Sequence, residues 1–322
     1  MTRSIFVLSL VGIVSLMGLA RQATAETQPG DIPGLLMWLK ADAGLEDSNG
    51  DPVAQGGAVA TWRDQSGNGW DAVAPDPRSA PTLETSSTMG PRPTNQGAAV
   101  LRWGEGPDLA PDGSPNGVSG QGFDVPGASL ADGQEATYVI AFDANLEIIN
   151  RRFLNFDAPG LNIRNYSKGW SSGNTGLPGL GGSGTNKRTA GPFANPIGYT
   201  GSSPIHNAPV FTVLRQRLDN VEHFVNGLSD TLVPFYNYGD AGQDGDWPLS
   251  PVDNLQIGKR ATISRYVGDM AEILIYGGAI TDEQIAGLAT YFGQRYGVPE
   301  PASLMLFALG CLPLAVRRRR RR

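Results

Sequence analysis

From Gly34 onward, short apolar runs, some alternating and some continuous, recur between turn signals, which predicts many short strands. "GLLMWLKAD" reads as a first, largely buried strand, and "AVATWRDQSGNG" as a short strand through Trp62 that enters a tight polar turn. "AAVLRW" (Ala98–Trp103), "ATYVIAFD" (Ala136–Asp143) and "RFLNFD" (Arg152–Asp157) continue the pattern. The clearest hairpin series runs from Val210 to Leu218, turns at Asp219-Asn220, and returns over Val221–Val225 to a second turn at Asn226-Gly227. Asn-Gly supplies the positive φ angles of a two-residue hairpin turn. "LQIGK" and "GDMAEILIYG" give two more strands.

One segment breaks the period of two. Thr281 caps a helix, Gln284 completes a capping box, and Ile285, Leu288, Ala289 and Phe292 recur at helical spacing until Gly297 stops it. Two stretches read as loops: Pro75–Gly97, rich in Pro, Ser and Thr, and the Gly-rich Ser167–Ser203. The second has little power to bury surface, so its composition favours disorder over a functional insertion. No internal repeat has a fixed period.

Both ends of the chain read as addresses. Arg3, an apolar run over Ile5–Leu19 and "ATA" ending at Ala25 form a secretory signal peptide over 1–25; a membrane anchor is the weaker reading, because the run is short and a cleavage site follows. At the other end stand Pro299-Glu300-Pro301, an uncharged stretch over 302–316 and six arginines from Arg317 to Arg322. As a helix that stretch spans roughly 22 Å, short of a ~30 Å hydrocarbon core, and the arginines would stay cytoplasmic and snorkel. The prolines leave Glu300 on extended, protease-accessible backbone. An ordinary C-terminal anchor is the plain alternative. Between the ends lies one domain, 26–297.

Charge and cysteine usage narrow the partners. Without Arg3, Arg21 and Arg317–Arg322, 17 of the 25 basic residues remain against 31 acidic ones, a net charge near −14. Such a surface repels phosphate backbones and anionic lipid, which argues against nucleic acid and leaves divalent cations or neutral polysaccharide. The single cysteine, Cys311, lies in the tail, so the exported domain must be stabilised by its core. About 270 residues suffice for one large all-β domain, and 43 Gly with 24 Pro fit many turns.

At "LLMWLKADAGL", "ATWRDQSGNGWDAV", "VEHFVNG" and "GDMAEILIYGGAITDEQIAGLATYFGQRYGV" the chain resembles the LamG-like jelly-roll family of the concanavalin A-like lectin and glucanase group. The likeness implies an all-β fold, a two-sheet antiparallel jelly-roll β-sandwich with one C-terminal surface helix. It says little about chemistry, which resides in sites grafted onto a fold. The tail from Val298 to Arg322 resembles the PEP-CTERM sorting signal of Gram-negative bacteria, which implies Sec export, transient insertion of 302–316 in the inner membrane, processing by an exosortase-type protease, and delivery to the outer surface or extracellular matrix.

The chemistry-bearing residues are few. Glycoside hydrolysis needs two carboxyl groups flanking the bond, and glucanases of this fold hold them in a Glu-x-Asp-x-Glu strand. Here "FDANLE" alternates Asp143, Asn145 and Glu147, and Asp269 and Glu272, three apart, are expected on opposite faces of a strand. His206 and His223 have no partner at metal spacing, and neither a Gly-x-Ser-x-Gly elbow nor a phosphate loop occurs. Asp47, Asn49 and Asp51 around Gly50 echo the first half of a calcium loop, against which stands a plain hairpin turn made of the same residue types. Asp240, Asp244 and Asp246 form a second acidic cluster. Trp170, Tyr236, Tyr238 and Trp247 lie in loops and could face a sugar, or fold back onto the core beside Trp38, Trp62 and Trp103. The expectation is therefore a non-enzymatic, exported surface protein that binds extracellular polysaccharide, with calcium as an optional aid. A structural or adhesive protein without a sugar ligand is the alternative, and a hydrolase comes third.

Overall fold

The computed structural model describes residues 27–76, 80–87, 89, 97–104, 121–131, 133–143, 151–157, 166–168, 184–186, 198–201, 209–218, 220–236, 252–260, 264–266 and 268–298. A short 3-10 turn, Pro29–Asp31, leads into β1 (Leu35–Lys40), followed by β2 (Leu45–Glu46), β3 (Thr61–Trp62), β4 (Ala72–Val73), β5 (Thr82–Glu84) and β6 (Val100–Trp103). Next come β7 (Phe123–Leu130), β8 (Ala136–Asp143), β9 (Arg151–Asp157), β10 (Tyr166–Lys168), β11 (Gly184–Asn186) and β12 (Gly198–Gly201). The series closes with β13 (Val210–Gln216), β14 (Val221–Val225), β15 (Leu228–Asp230), β16 (Leu232–Tyr236), β17 (Val252–Ile257), β18 (Lys259–Arg260), β19 (Ser264–Arg265) and β20 (Gly268–Tyr276). One helix, α1 (Asp282–Tyr296), ends the described chain.

Apart from a separate β18–β19 ribbon, the strands form the expected two-sheet antiparallel jelly-roll sandwich. The first sheet runs β15-β14-β13-β8-β20-β6-β5, with β1 also on β20; the second runs β16-β12-β11-β10-β9-β17-β7-β4-β3-β2. Between them lies a core built from both sheets: Met37, Leu39, Tyr138, Ile140, Phe142, Ile273 and Ile275 from the first meet Trp62, Phe123, Val125, Leu255 and Ile257 from the second. At its centre Trp62, Trp103 and Phe123 pack with ring centroids 5.9 to 6.5 Å apart, and Tyr266 meets Trp103 edge-on at 5.6 Å. Gly258 is obligatory there, because a Cβ would lie 2.4 Å from Trp103 Nε1 and its φ is +73°.

A second cluster covers the opposite face of the first sheet. Ile285, Leu288, Phe292 and Tyr296 of α1 settle on Val139, Phe211, Val213, Leu274 and Tyr276, with Phe211 and Phe292 stacked at 5.0 Å. The first sheet is thus buried on both sides, which explains why β8, β13 and β20 are nearly continuous apolar runs rather than alternating ones. The helix has the termini read from sequence. Thr281 accepts from Gln284 N, the Gln284 side chain accepts from Thr281 N, and Gly297 is left-handed at φ 66°. Val298 still packs in this cluster at 2 % exposure, so the folded domain includes it.

Three expectations are corrected. Pro75–Gly97, read as a loop, contains β5, whose three residues pair with β6 at the edge of the first sheet, too short a run to show alternation. The Ser167–Ser203 stretch is not wholly irregular, since β10, β11 and β12 add three short strands to the second sheet. Gly-rich composition hid them, because backbone pairing needs no apolar side chain. Asp269 and Glu272 are not on opposite faces either. The pairing of β20 with β8 shifts between Met270 and Glu272, and this bulge resets the alternation. Met270 enters the inter-sheet core, while Ala271 joins the helix-side cluster and Glu272 reaches the α1 tyrosines.

Candidate functional site

With its other face closed by α1, the first sheet offers no open surface along β8, β13 and β20, and the exposed face of the second sheet is the broad one left. Its neighbouring turn is fixed first. In "WRDQSGNGWDAV", Asp64 Oδ1 accepts from Trp38 N at 2.8 Å and Ser66 N at 2.9 Å, and Oδ2 accepts from Ser66 Oγ at 2.6 Å and Trp70 N at 3.1 Å. Asn68 Nδ2 donates to the Leu35 and Leu36 carbonyls at 2.9 and 3.1 Å. One carboxylate therefore ties β1 of the first sheet to the turn between β3 and β4 of the second.

Across that second sheet the register aligns Glu46, Thr61, Val73, Asp124 and Gln256 in one cross-strand row, continued along the backbone to Asn155. The flanking residues Trp62, Ala72, Phe123, Val125, Leu255 and Ile257 point into the core, so strand alternation turns this row outward. Six strands at roughly 4.8 Å make it about 24 Å long. The side chains are hydroxyl, amide and carboxylate around one exposed aliphatic, Val73 at 39 %. Arg63 pins the β2 end, donating to both Glu46 oxygens at 3.0 and 2.7 Å and to Asp71 at 2.7 Å. Gln256 Nε2 lies 3.5 Å from Asp124 Oδ1.

Asp47, Asn49 and Asp51 form a tight turn after β2. Asp47 Oδ1 accepts from Asn49 N at 2.8 Å and Asp51 N at 3.0 Å, while Asn49 Nδ2 lies 3.4 Å from Oδ2. These backbone donors, Asn49 first, hold the Asp47 carboxyl below its usual value. Gly50, at φ +85°, closes the turn with its N–H on the Asp47 carbonyl. Among the described residues no three His, Cys, Asp or Glu side chains converge.

The two carboxylates brought to one face by the bulge are separately occupied. Glu272 is fully buried and accepts from Trp38 Nε1 at 2.5 Å, Tyr296 Oη at 2.6 Å and Tyr291 Oη at 3.1 Å. Burial raises its pKa, against the opposing pull of Tyr296, Trp38, Arg295 and Tyr291. Asp269 takes a two-point contact from Arg102 at 2.8 and 2.9 Å. Trp62 and Trp103 are core as expected, whereas Trp38 is only half-buried, under Lys40 at 5.1 Å.

His223 is not isolated: its Nδ1 lies 2.9 Å from Asp230 Oδ2, both side chains sealed from solvent. Counting outward from the Asn226-Gly227 turn pairs His223 with Asp230, and counting outward from the turn between β13 and β14 pairs Arg215 with Glu222, so hairpin register was the signal that could have found them. Arg215, 2 % exposed, grips Glu222 at 2.7 and 2.9 Å, the Ile280 carbonyl at 2.6 Å and Asp282 of α1 at 2.8 Å. Of the other sequence-derived residues, Trp170, Tyr238, Trp247, Ala25, Pro299, Glu300, Pro301 and Arg317 lie outside the described residues, as do Asn145, Glu147, Asp240, Asp244, Asp246 and His206. Tyr236 ends β16, where only the backbone is described.

No family model matches the chain, and no curated protein matches it. Solved structures give distant likenesses. The Trypanosoma rangeli sialidase bound to 2,3-difluorosialic acid is 13 % identical over 80 % of this chain and 33 % of its own, with a TM-score of 0.39. The receptor-binding domain of botulinum neurotoxin D is 9 % identical, with 82 % and 54 % coverage and a TM-score of 0.44. Domain 4 of AbnA, an extracellular arabinanase from Geobacillus stearothermophilus bound to arabinotriose, is 16 % identical, with 79 % and 98 % coverage and a TM-score of 0.36. This chain spans a third of the sialidase's length. With TM-scores this low, no functional conclusion rests on these likenesses.

Proposed function

We propose that this chain is an exported polysaccharide-binding module delivered to the outer cell surface or extracellular matrix. The observation that carries the reading is the outward row Glu46–Thr61–Val73–Asp124–Gln256, about 19 Å of hydroxyl, amide and carboxylate groups across five strands of the second sheet. Sugar hydroxyls both donate and accept, so a linear neutral polymer pairs with such a row over several units. The acidic balance of the domain supports a neutral ligand over an anionic one. In this reading Trp170, Tyr236, Tyr238 and Trp247 add stacking faces, and chelation decides whether Asp47, Asn49 and Asp51 hold calcium or leave Asp47 to a sugar hydroxyl. Export runs through a signal peptide over 1–25, and Pro299-Glu300-Pro301 meets an exosortase-type protease while 302–316 sits in the inner membrane. The domain acts without catalysis.

A second reading is favoured by the Arg63–Glu46–Asp71 ion pairs, which consume polar groups at one end of the row as an ordinary solvated sheet face does. It makes the protein a structural or adhesive scaffold. Equilibrium binding of the full chain, in mild detergent, to a panel of bacterial and algal polysaccharides separates the two. The module reading requires saturable, competable binding to a neutral polymer, and loss under EDTA assigns calcium a part. Absence of binding to every polymer leaves the scaffold.

A further inference from the structure

Beside the β2 end of the row, a groove of about 430 Å³ opens between the 47–60 segment and Ala80, within the range of about 300–1,000 Å³ usual for small-ligand sites. Its walls are Pro52, Val53, Ala54, Gly57, Ala58 and Ala60, with Asp47 and Ser48 at one end. The walls are fixed by backbone bonds: Val53 N to Leu45 O at 3.2 Å, Gly56 N to Leu83 O at 2.7 Å, Val59 N to Pro81 O at 2.9 Å and Leu83 N to Gly57 O at 2.9 Å. Gly57 permits the close fold, because a Cβ there would lie 2.9 Å from both the Ala54 carbonyl and Val53 Cγ1. The backbone of the groove is therefore preformed.

Among the described lining residues the charged group is Asp47, and it is held in place. Both turn N–H groups converge on Asp47 Oδ1, which orients the carboxylate, and among the described residues the side-chain donor nearest Oδ2 is Asn49 Nδ2 at a long 3.4 Å. Oδ2 thus keeps acceptor capacity toward a hydroxyl donor.

We propose that this groove is a subsite for one sugar ring of a neutral polysaccharide, the C–H face lying on the alanine and proline walls and a ring hydroxyl donating to Asp47. The proposal rests on the polysaccharide-binding reading above and gives it a specific end-point for the row. Three chemistries compete. An anionic sugar meets Asp47 with Glu46 and Asp51 nearby, so like charge disfavours it. A purely apolar ligand would desolvate the Asp47 carboxylate without supplying a donor. A divalent cation finds a single carboxylate among the described lining residues. A hydroxyl-bearing ring with one apolar face fits what is present.

Two substitutions test it without touching the core. Ala58→Leu, at an exposed position, fills the groove; Asp47→Asn keeps an oxygen for the turn N–H groups and removes the charge. The full chain in mild detergent is titrated with dextran, laminarin and barley β-glucan, with alginate as anionic probe and CaCl₂ alone as cation probe, and circular dichroism confirms that each variant is folded. The expected result is binding of at least one neutral polymer, weakened about tenfold by either substitution when a charge-assisted hydrogen bond or the ring's place is lost. Neutral-polymer binding unchanged in both variants would overturn the groove while leaving the module reading standing. No neutral-polymer binding by the unaltered chain would overturn both. Alginate bound as tightly as the neutral polymers, or CaCl₂ bound in the absence of sugar and lost in Asp47→Asn, would replace the sugar subsite with an anion or a cation site.

Discussion

Glu272 is a carboxyl group sealed beneath α1, and its pH behaviour follows from that position. Burial raises its pKa above the ordinary value of 4.5, in spite of hydrogen bonds from Tyr296, Trp38 and Tyr291. A carboxyl whose folded pKa is raised favours the folded state most when protonated. Its contribution is lost as pH rises from about 4.5 through the raised value, at no more than about 1.4 kcal/mol per pH unit. Glu272→Gln mimics the protonated group, so melting curves of the two proteins should differ least near pH 4, and the wild type should fall progressively behind as pH rises. A difference that does not change with pH would contradict the assignment. Arg215 is another buried charge. Arg215→Ala strips partners from Glu222 and the Ile280 carbonyl and unfastens the start of α1, with an expected cost of about 3 kcal/mol in denaturant unfolding.

The knot around Asp64 shows what one turn can do for two sheets. Four donors converge on it, one of them Trp38 N from the other sheet, so Asp64→Ala should cost roughly 2–4 kcal/mol, and Asp64→Asn less, in the same unfolding measurement. Elements with local signals were legible in the sequence. The Asn226-Gly227 turn adopts φ angles of 52° and 81°, and the Thr281 capping box forms as its spacing dictates. "WRDQSGNG" was legible as a turn, but its bonds to Leu35, Leu36 and Trp38 span about thirty residues and leave no local trace. The bulge at Ala271–Glu272 was equally silent, because it arises from pairing with β8 rather than from any residue preference. The strands β10 to β12 escaped notice because glycine and serine carry no alternation to read. At the candidate site, Asp47 was legible as a loop acid. The row from Glu46 to Gln256 was not, since its members come from five strands spread over 210 residues.

At the scale of the whole molecule, burial divides the labour between the sheets. The first is closed by core on one side and α1 on the other; the second turns the row from Glu46 to Gln256 outward, the face to which the proposed contact is assigned. The proposed sorting tail acts on this domain from outside it. Replacing Pro299, Glu300 and Pro301 by alanine should leave uncleaved protein in the membrane fraction, and normal processing of that variant would set the sorting proposal aside. The central claim is that the open face of the second sheet binds a neutral polysaccharide. It is tested most directly by comparing the unaltered full chain with an Asp124→Ala/Gln256→Ala double variant in equilibrium binding to neutral polymers. The account predicts saturable binding that weakens about tenfold or more when both row side chains are removed, each hydrogen bond contributing about 0.5–1.5 kcal/mol. Equal binding by both proteins, or none by the unaltered chain, would contradict it.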